Sequence, residues 1–287
     1  MLKKRIVATI VVKDGIVVQS INFKKYLPVG KPHIAVEYLN IWGIDEIILL
    51  DISATKNLKE PNYNMIKKCS EKCFVPLTVG GGISNLSQID KLMSCGADKI
   101  SLNSSSINSP ELISDAANKF GNQSVVLSLD CVKIGNKYKV FDYLNSKALN
   151  LCPLDLLKKS INKGVGEVFV NSVDRDGSYQ GFDIELIKLF DEIRIPIVCS
   201  GGAKNADDFT KVFDQTNVSG AAAANFFHFS EHSVIITKCG ISNSEKIRIE
   251  TNSKYSKDNF NEVYRLNKKS DYELSKLLNI RIEKEII

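Results

Sequence analysis

Apolar residues in this chain fall into eight short runs that alternate with stretches of helical spacing. The runs are Arg5 to Val12, Asp45 to Leu50, Phe74 to Val79, Lys99 to Leu102, Ser124 to Leu129, Glu167 to Val170, Ile195 to Cys199 and Val218 to Ala223. They are rich in Val and Ile and too short for helices, so they read as strands. Residues 32–42, 62–73, 86–95, 110–119, 154–163, 183–191 and 205–213 carry the helical pattern between them. Residues 132–142 read as a hairpin, and Lys13-Asp14-Gly15 as a turn. Continuous apolar strands alternating with helices predict a parallel sheet covered on both faces. Eight such units in 287 residues predict a single (β/α)₈ barrel; a doubly wound open sheet is the alternative.

Several strands end in polar or glycine residues: Asp51, Gly80-Gly81-Gly82, Asn103-Ser104 and Asp130. The first half is echoed in the second. Leu50-Asp51 corresponds to Val173-Asp174, Gly80-Gly81-Gly82 to Ser200-Gly201-Gly202, and Asn103 to Asn225, each pair about 120 residues apart. Glycine lets a strand end approach a ligand closely, and backbone amides opening the next helix favour an anion. Two repeated half-barrels would place two anion sites on opposite sides of one mouth. A ligand with a phosphate at each end would fit. After Phe229 the pattern stops, and residues 240–270 are rich in Ser, Asn and Lys. The expected division is a barrel over 1–235 and a C-terminal extension over 236–287, partly flexible, with a helical stretch from Tyr272 to Leu278.

Charge alters this picture little. The formal net charge is +5, with lysines and acids intermixed, and no basic stripe points to nucleic acid. No run approaches the length of a membrane span, and the start of the chain does not read as a signal peptide. The seven cysteines are scattered and odd in number, as expected for reduced thiols in a cytoplasm. Cys69 and Cys73 have no second pair for zinc. His228 and His232 have helical spacing but no third ligand. No metal and no cofactor is expected. No nucleophile constellation is seen.

Taken together, Val12-Lys13-Asp14-Gly15, Leu50-Asp51-Ile52, Thr78 to Gly82, Gly96 to Lys99, Asp174 to Gly177, Ser200-Gly201-Gly202 and Phe227-His228-Phe229 resemble HisF, the cyclase subunit of imidazole glycerol phosphate synthase. The resemblance covers about residues 1–230. It implies a barrel that partners a glutaminase and receives its ammonia through the barrel axis. It assigns an ammonia gate to Arg5, Glu46, Lys99 and Glu167, and partner docking to Asp98. It assigns phosphate binding to Gly82, Asn103 and Ser104 in one half. In the other half it assigns Asp176, Gly177, Gly202, Ala224 and Asn225, with Asn225 standing where the family has serine.

The chemistry departs from the family. Of two aspartates expected to act as general acid and base, only Asp130 is present, and Val11 occupies the other position. Gln19 replaces a substrate-contacting lysine. Asp14 is the nearest substitute acid, although its side chain belongs to the following loop. Losing one proton-transfer group lowers rates by about 10²–10⁴-fold. The sequence therefore points to a subunit that docks a glutaminase and passes ammonia to an acceptor. In a branch of this family tied to surface-polysaccharide loci, a separate sugar amidotransferase receives it. A histidine-pathway cyclase and a non-catalytic activator of the glutaminase are the alternatives.

Overall fold

A computed structural model of the chain describes residues 3–229, 232–241 and 246–249, and of the rest 251, 255, 257–262, 265–267 and 270–277. Strand β1 (Arg5–Lys13) turns through Asp14 and Gly15, both at positive φ, into β2 (Ile16–Ile21). A two-residue Asp-Gly link of this kind matches the twist of a hairpin. The chain then runs through β3 (Lys25–Gly30), α1 (Pro32–Ile41), β4 (Glu46–Asp51), α2 (Tyr63–Ser70), β5 (Leu77–Gly80) and α3 (Leu86–Ser94). Next come β6 (Lys99–Leu102), α4 (Ser104–Asn108), α5 (Glu111–Phe120), β7 (Val125–Ile134), β8 (Lys137–Asp142), β9 (Lys147–Ala148) and α6 (Pro153–Ile161). The second half continues with β10 (Glu167–Ser172), α7 (Ile184–Lys188), β11 (Ile197–Ser200), α8 (Ala206–Gln215), β12 (Gly220–Ala223), α9 (Asn225–Phe229) and α10 (Ser233–Gly240). Helix α11 spans Asp271–Leu277.

Strands β1, β4, β5, β6, β7, β10, β11 and β12 pair in parallel in that order, and β12 pairs back to β1. The sheet is therefore a closed (β/α)₈ barrel. One core cluster lies between strands and helices; it includes Ile6, Ile47, Leu77, Ile89, Leu127 and Phe209. A second fills the barrel interior with Val7, Ile48, Val126, Phe169, Val198 and Ala222. Alternate residues of β1 thus face opposite ways, as strand geometry requires.

The two halves repeat in detail. Gly81 and Gly201 both sit at positive φ, and an added Cβ would meet the carbonyl oxygen of Asp51 or of Ser172 at 2.1 and 2.7 Å. Asn85 caps α3 and Asn205 caps α8, each accepting from the amide three residues on. Gln88 and Asp208 reach back to the amides of Ser84 and Lys204.

Some expectations are corrected. The third strand begins at Leu77, not Phe74, which is 83% exposed on the loop before it. Residues 16–30 form an antiparallel excursion that the turn signal alone did not predict. Helix α10, which spans residue 235, packs on α8. Extension residues Lys246 and Ile247 lie beside Lys4 at the start of β1. Leu278, the expected end of the last helix, lies outside the described residues. Among the described residues, no helix is long and apolar enough to cross a membrane.

Helix α10 is fixed by a buried ion pair. Lys238 Nζ lies 2.7 Å from Asp45 Oδ1, with side chains 2% and 3% exposed. The other oxygen of Asp45 accepts the Ile6 amide at 2.8 Å. Removing one partner strands a buried charge, at a cost of about 3–5 kcal/mol. Lys238→Met should therefore lower the urea midpoint sharply, and adding Asp45→Asn should recover part of the loss. A single variant with an unchanged midpoint would refute this.

Candidate functional site

The barrel interior is layered. At the N-terminal end Arg5, Glu46, Lys99 and Glu167 form a closed ring of charges. Arg5 bonds Glu46 through Nη1 and Glu167 through Nη2. Lys99 Nζ lies 2.8 Å from Glu46 and 2.6 Å from Glu167. Each cation bridges both anions. The glutamates are nearly inaccessible, whereas Arg5 and Lys99 are 24% and 17% exposed. Thr78 adds a hydrogen bond to Glu46 at 3.3 Å. Asp98 is exposed beside the ring, and its Oδ2 accepts the Leu77 amide.

Above the ring lies the apolar layer of the interior cluster. Above that, a cavity of about 540 Å³ opens at the C-terminal end. Its walls carry the hydroxyls of Thr9 and Ser101, which are buried without a hydrogen-bond partner among the described residues.

Asp130 stands at this mouth, 7% exposed. Asn103 donates to its Oδ2 at 3.0 Å, and Asn171 to its Oδ1 at 3.3 Å. Burial pushes its pKa up to about 7; the two amides pull it down, and the nearby Asp176 carboxylate pushes it further up. A carboxyl poised near neutrality can give or take a proton. Val11 lines the same cavity from β1, four strands around the ring from β7. It offers an isopropyl group and no proton. Asp14 also reaches the cavity rim, where it is exposed.

The residues expected to bind phosphate fall into two groups. In the first half, Gly82, Asn103 and Ser104 line the large cavity with Thr55 and Tyr143. The Gly82 amide donates to Thr55 Oγ1 at 2.9 Å. The Tyr143 hydroxyl is within hydrogen-bonding reach of Thr55 and Ser104. In the second half, Asp176, Gly177, Gly202, Ala224 and Asn225 border a recess of about 30 Å³. Ser20 Oγ donates to Asp176 at 2.6 Å, as does the Phe23 amide at 3.1 Å. Burial raises the Asp176 pKa despite those two bonds. Gln19 donates to the Tyr179 hydroxyl at 3.3 Å. No local motif marks Thr55, Tyr143 or Asn171, because their roles depend on packing across distant loops.

The histidine pair does not share a helix: His228 lies in α9, and His232 takes φ 51 before α10, with its ring against Trp42 and Tyr255. Among the described residues no group of three or more His, Cys, Asp or Glu side chains gathers to hold a metal.

The raised pKa of Asp130 has a consequence for stability. Its folded pKa of about 7 lies above the ordinary 3.8. The folded state thus holds the proton more tightly than the unfolded chain. Stability falls as pH rises between those values and stays lowered above them. Asp130→Asn removes the charged state. It should stabilise the protein at pH 8 by about 1–4 kcal/mol, a gain that shrinks toward pH 4. Urea titrations at the two pH values check this; a gain independent of pH would refute it.

Comparison with known proteins agrees with this architecture. The family model described as "Histidine biosynthesis protein" matches residues 5–233. A Vibrio vulnificus (strain YJ016) protein named "Putative imidazole glycerol phosphate synthase subunit hisF2" is 41% identical over 261 residues, 91% of this chain and 96% of that protein. The "Imidazole glycerol phosphate synthase subunit HisF" of Streptococcus mutans serotype c is 38% identical over 240 residues, 83% of this chain and 96% of that protein. The Streptococcus sanguinis protein of the same name is 37% identical over the same length. A closed barrel, a mouth carboxyl held by two asparagines, and this identity over most of the chain lead to one conclusion: the chain belongs to the histidine-biosynthesis barrel family, among the HisF subunits.

Proposed function

We propose that this chain is a HisF-type subunit that docks a glutaminase at its N-terminal end and conducts ammonia through the barrel, for amidation of a nucleotide sugar in surface-polysaccharide biosynthesis. The observation that carries the reading is the contrast between the two ends. The four-charge ring is complete, whereas the mouth has lost one of its two proton-transfer groups at Val11.

The interior suits a small neutral molecule. The ring is neutral as a whole and its more accessible members are the cations Arg5 and Lys99, so it does not favour an ammonium ion at the entrance. The apolar layer of Val7, Ile48, Val126, Phe169, Val198 and Ala222 repels any ion, because an unpaired charge there is strongly disfavoured. Neutral ammonia passes more readily, and the Thr9 and Ser101 hydroxyls beyond can hydrogen-bond to it. A cyclase subunit of imidazole glycerol phosphate synthase is the second reading, favoured by the relatives' names and by Asp130 with its pKa near 7. A barrel that only activates its glutaminase by contact is the third.

Docking is tested by co-purification with HisH-type glutaminases. Asp98→Lys should weaken binding by at least tenfold through charge reversal and lost hydrogen bonding. Asp98→Asn keeps an acceptor for the Leu77 amide and separates docking from folding. Glutaminase that binds both variants as well as wild type would sink the docking surface.

Cyclase chemistry is tested with ammonia supplied directly. Wild type should turn over near background, and Val11→Asp should raise the rate, with a further gain on adding Gln19→Lys. Robust wild-type turnover would return the chain to histidine synthesis. With the glutaminase present, glutamine-dependent sugar amidation should require this chain and fall when Lys99 is replaced.

A further inference from the structure

The loops at the C-terminal end of the barrel form a rim around the open cavity. We propose that this rim is a second docking surface, on which the protein that accepts the ammonia sits through an acidic face with an apolar centre and closes the cavity. This rests on the conduction reading above and names where and how the acceptor is met.

Conduction needs such a cover. Ammonia entering neutral water is protonated, and ammonium has no lone pair with which to attack. A channel that ends in open solvent loses what it carries, and closing a site prevents that leakage. In a cyclase the reacting ligand consumes ammonia inside the cavity. Here Val11 has removed a proton-transfer group from the cavity wall. Ammonia then has to leave the cavity, and its acceptor has to stand at the exit.

The rim offers apolar side chains to solvent. Leu58, in the loop after β4, is 95% exposed, more than any other large apolar side chain among the described residues. It stands at φ 53, a conformation that a bulky residue rarely adopts. Ile16 opens β2 beside the first turn, and Ile134 ends β7 at the tip of the next hairpin; both are half-exposed. Such side chains contribute nothing by burial in the free chain and would do so under a partner.

Positive charge surrounds them. Lys24 and Lys56 line the cavity, Lys59 follows Leu58, and Lys137 opens β8 beyond Ile134; all four are exposed. The ion pairs of these loops, Glu60 with Lys91 and Glu185 with Lys133, involve none of the four. The exposed Asp14 stands against them. Apolar side chains flanked by lysines match a partner surface with an apolar centre and carboxylates around it. An anionic lipid surface would meet the same charges, but it gives ammonia nothing to react with.

The rim is held in shape before any partner arrives. The Asp14 amide donates to Ser53 Oγ at 3.0 Å, joining the first turn to the loop after β4. Within that loop the Asn57 and Lys59 amides donate to the carbonyls of Ser53 and Ala54 at 3.0 and 2.8 Å. The Phe23 and Phe141 rings meet edge to face with centroids 6.1 Å apart, linking the β2–β3 and β8–β9 excursions. The Lys133 amide donates to Asp174 at 2.7 Å and ties the β7–β8 hairpin to the loop after β10. Loops already fixed lose little entropy on docking.

The test uses the full chain bound to a HisH-type glutaminase, with a nucleotide-sugar amidotransferase from the same organism as the acceptor. Acceptor binding is measured by biolayer interferometry, and ammonia that escapes is read with glutamate dehydrogenase. Wild type should bind the acceptor, more weakly at high salt, and release little ammonia while amidation runs. Leu58→Gly accommodates the positive φ, so the urea midpoint and the glutaminase rate should hold. Acceptor binding should nevertheless weaken by about tenfold, and ammonia should appear in the bulk. Lys59→Glu should weaken binding by about threefold or more at low salt and little at high salt. Three results would each overturn the proposal: acceptor binding equal to wild type in both variants; amidation that stops when excess glutamate dehydrogenase and 2-oxoglutarate scavenge bulk ammonia; or binding to phosphatidylserine vesicles through Leu58 with no binding of the acceptor. Amidation that runs through bulk ammonia and still depends on Lys99 would leave the conduction reading standing, whereas a chain that binds no glutaminase would remove that reading itself.

Discussion

Everything in this molecule depends on the closing of the sheet. The ladder from Glu167↔Val126 to Ser172↔Cys131 joins β10 to β7 and completes the ring. Once the sheet is closed, alternate residues of each strand have only the barrel axis to face. What stands at those positions becomes a vertical sequence of environments. Here it runs from a charged ring, through an apolar layer, to a polar cavity. The charges at the bottom must balance, because nearly inaccessible glutamates are tolerated only when paired. Two cations shared between two anions meet that demand with no charge left over.

The large-scale plan was legible because it rests on local rules. Strand runs bounded by helical spacing gave the eight-fold alternation, and glycine-ended strands gave the doubling. What escaped was set by tertiary contact. Phe74 and Val75 extend an apolar run, but Pro76 has no amide for a ladder and the sheet starts at Leu77. The β2–β3 excursion reads as loop because its residues are largely polar or exposed, and its order comes from partners such as Asn225 and Asp176. Helix α10 was missed although Val234, Ile235 and Ile236 are apolar. Its anchor, Lys238 on Asp45, joins residues too distant in sequence for any local pattern to reveal.

The site was legible as a list and not as a geometry. Asp130 was found by motif. Its poise near neutrality comes from burial set against two amides that no motif specifies. Asn103 shows the same limit: expected at a phosphate, it also holds Asp130 and the Ser128 carbonyl. Asn225 shows it more strongly, since its side chain is bound to Ser20. In both cases one side chain had two possible tasks, and the fold around it determined which was performed.

The contrast between the two ends has a physical basis that bears on how the chain could have changed. In the ring, every charge has two partners, so replacing any one member leaves an excess charge in a site that excludes water. Such a change carries a penalty of several kcal/mol. At the mouth, Val11 and Gln19 are each only partly buried and stand outside any closed network of charges. Substitutions there alter chemistry while leaving the fold nearly untouched. Arg5 and Lys99 each contact both Glu46 and Glu167, so each glutamate is held by two cations and the four side chains form one mutually bridged unit.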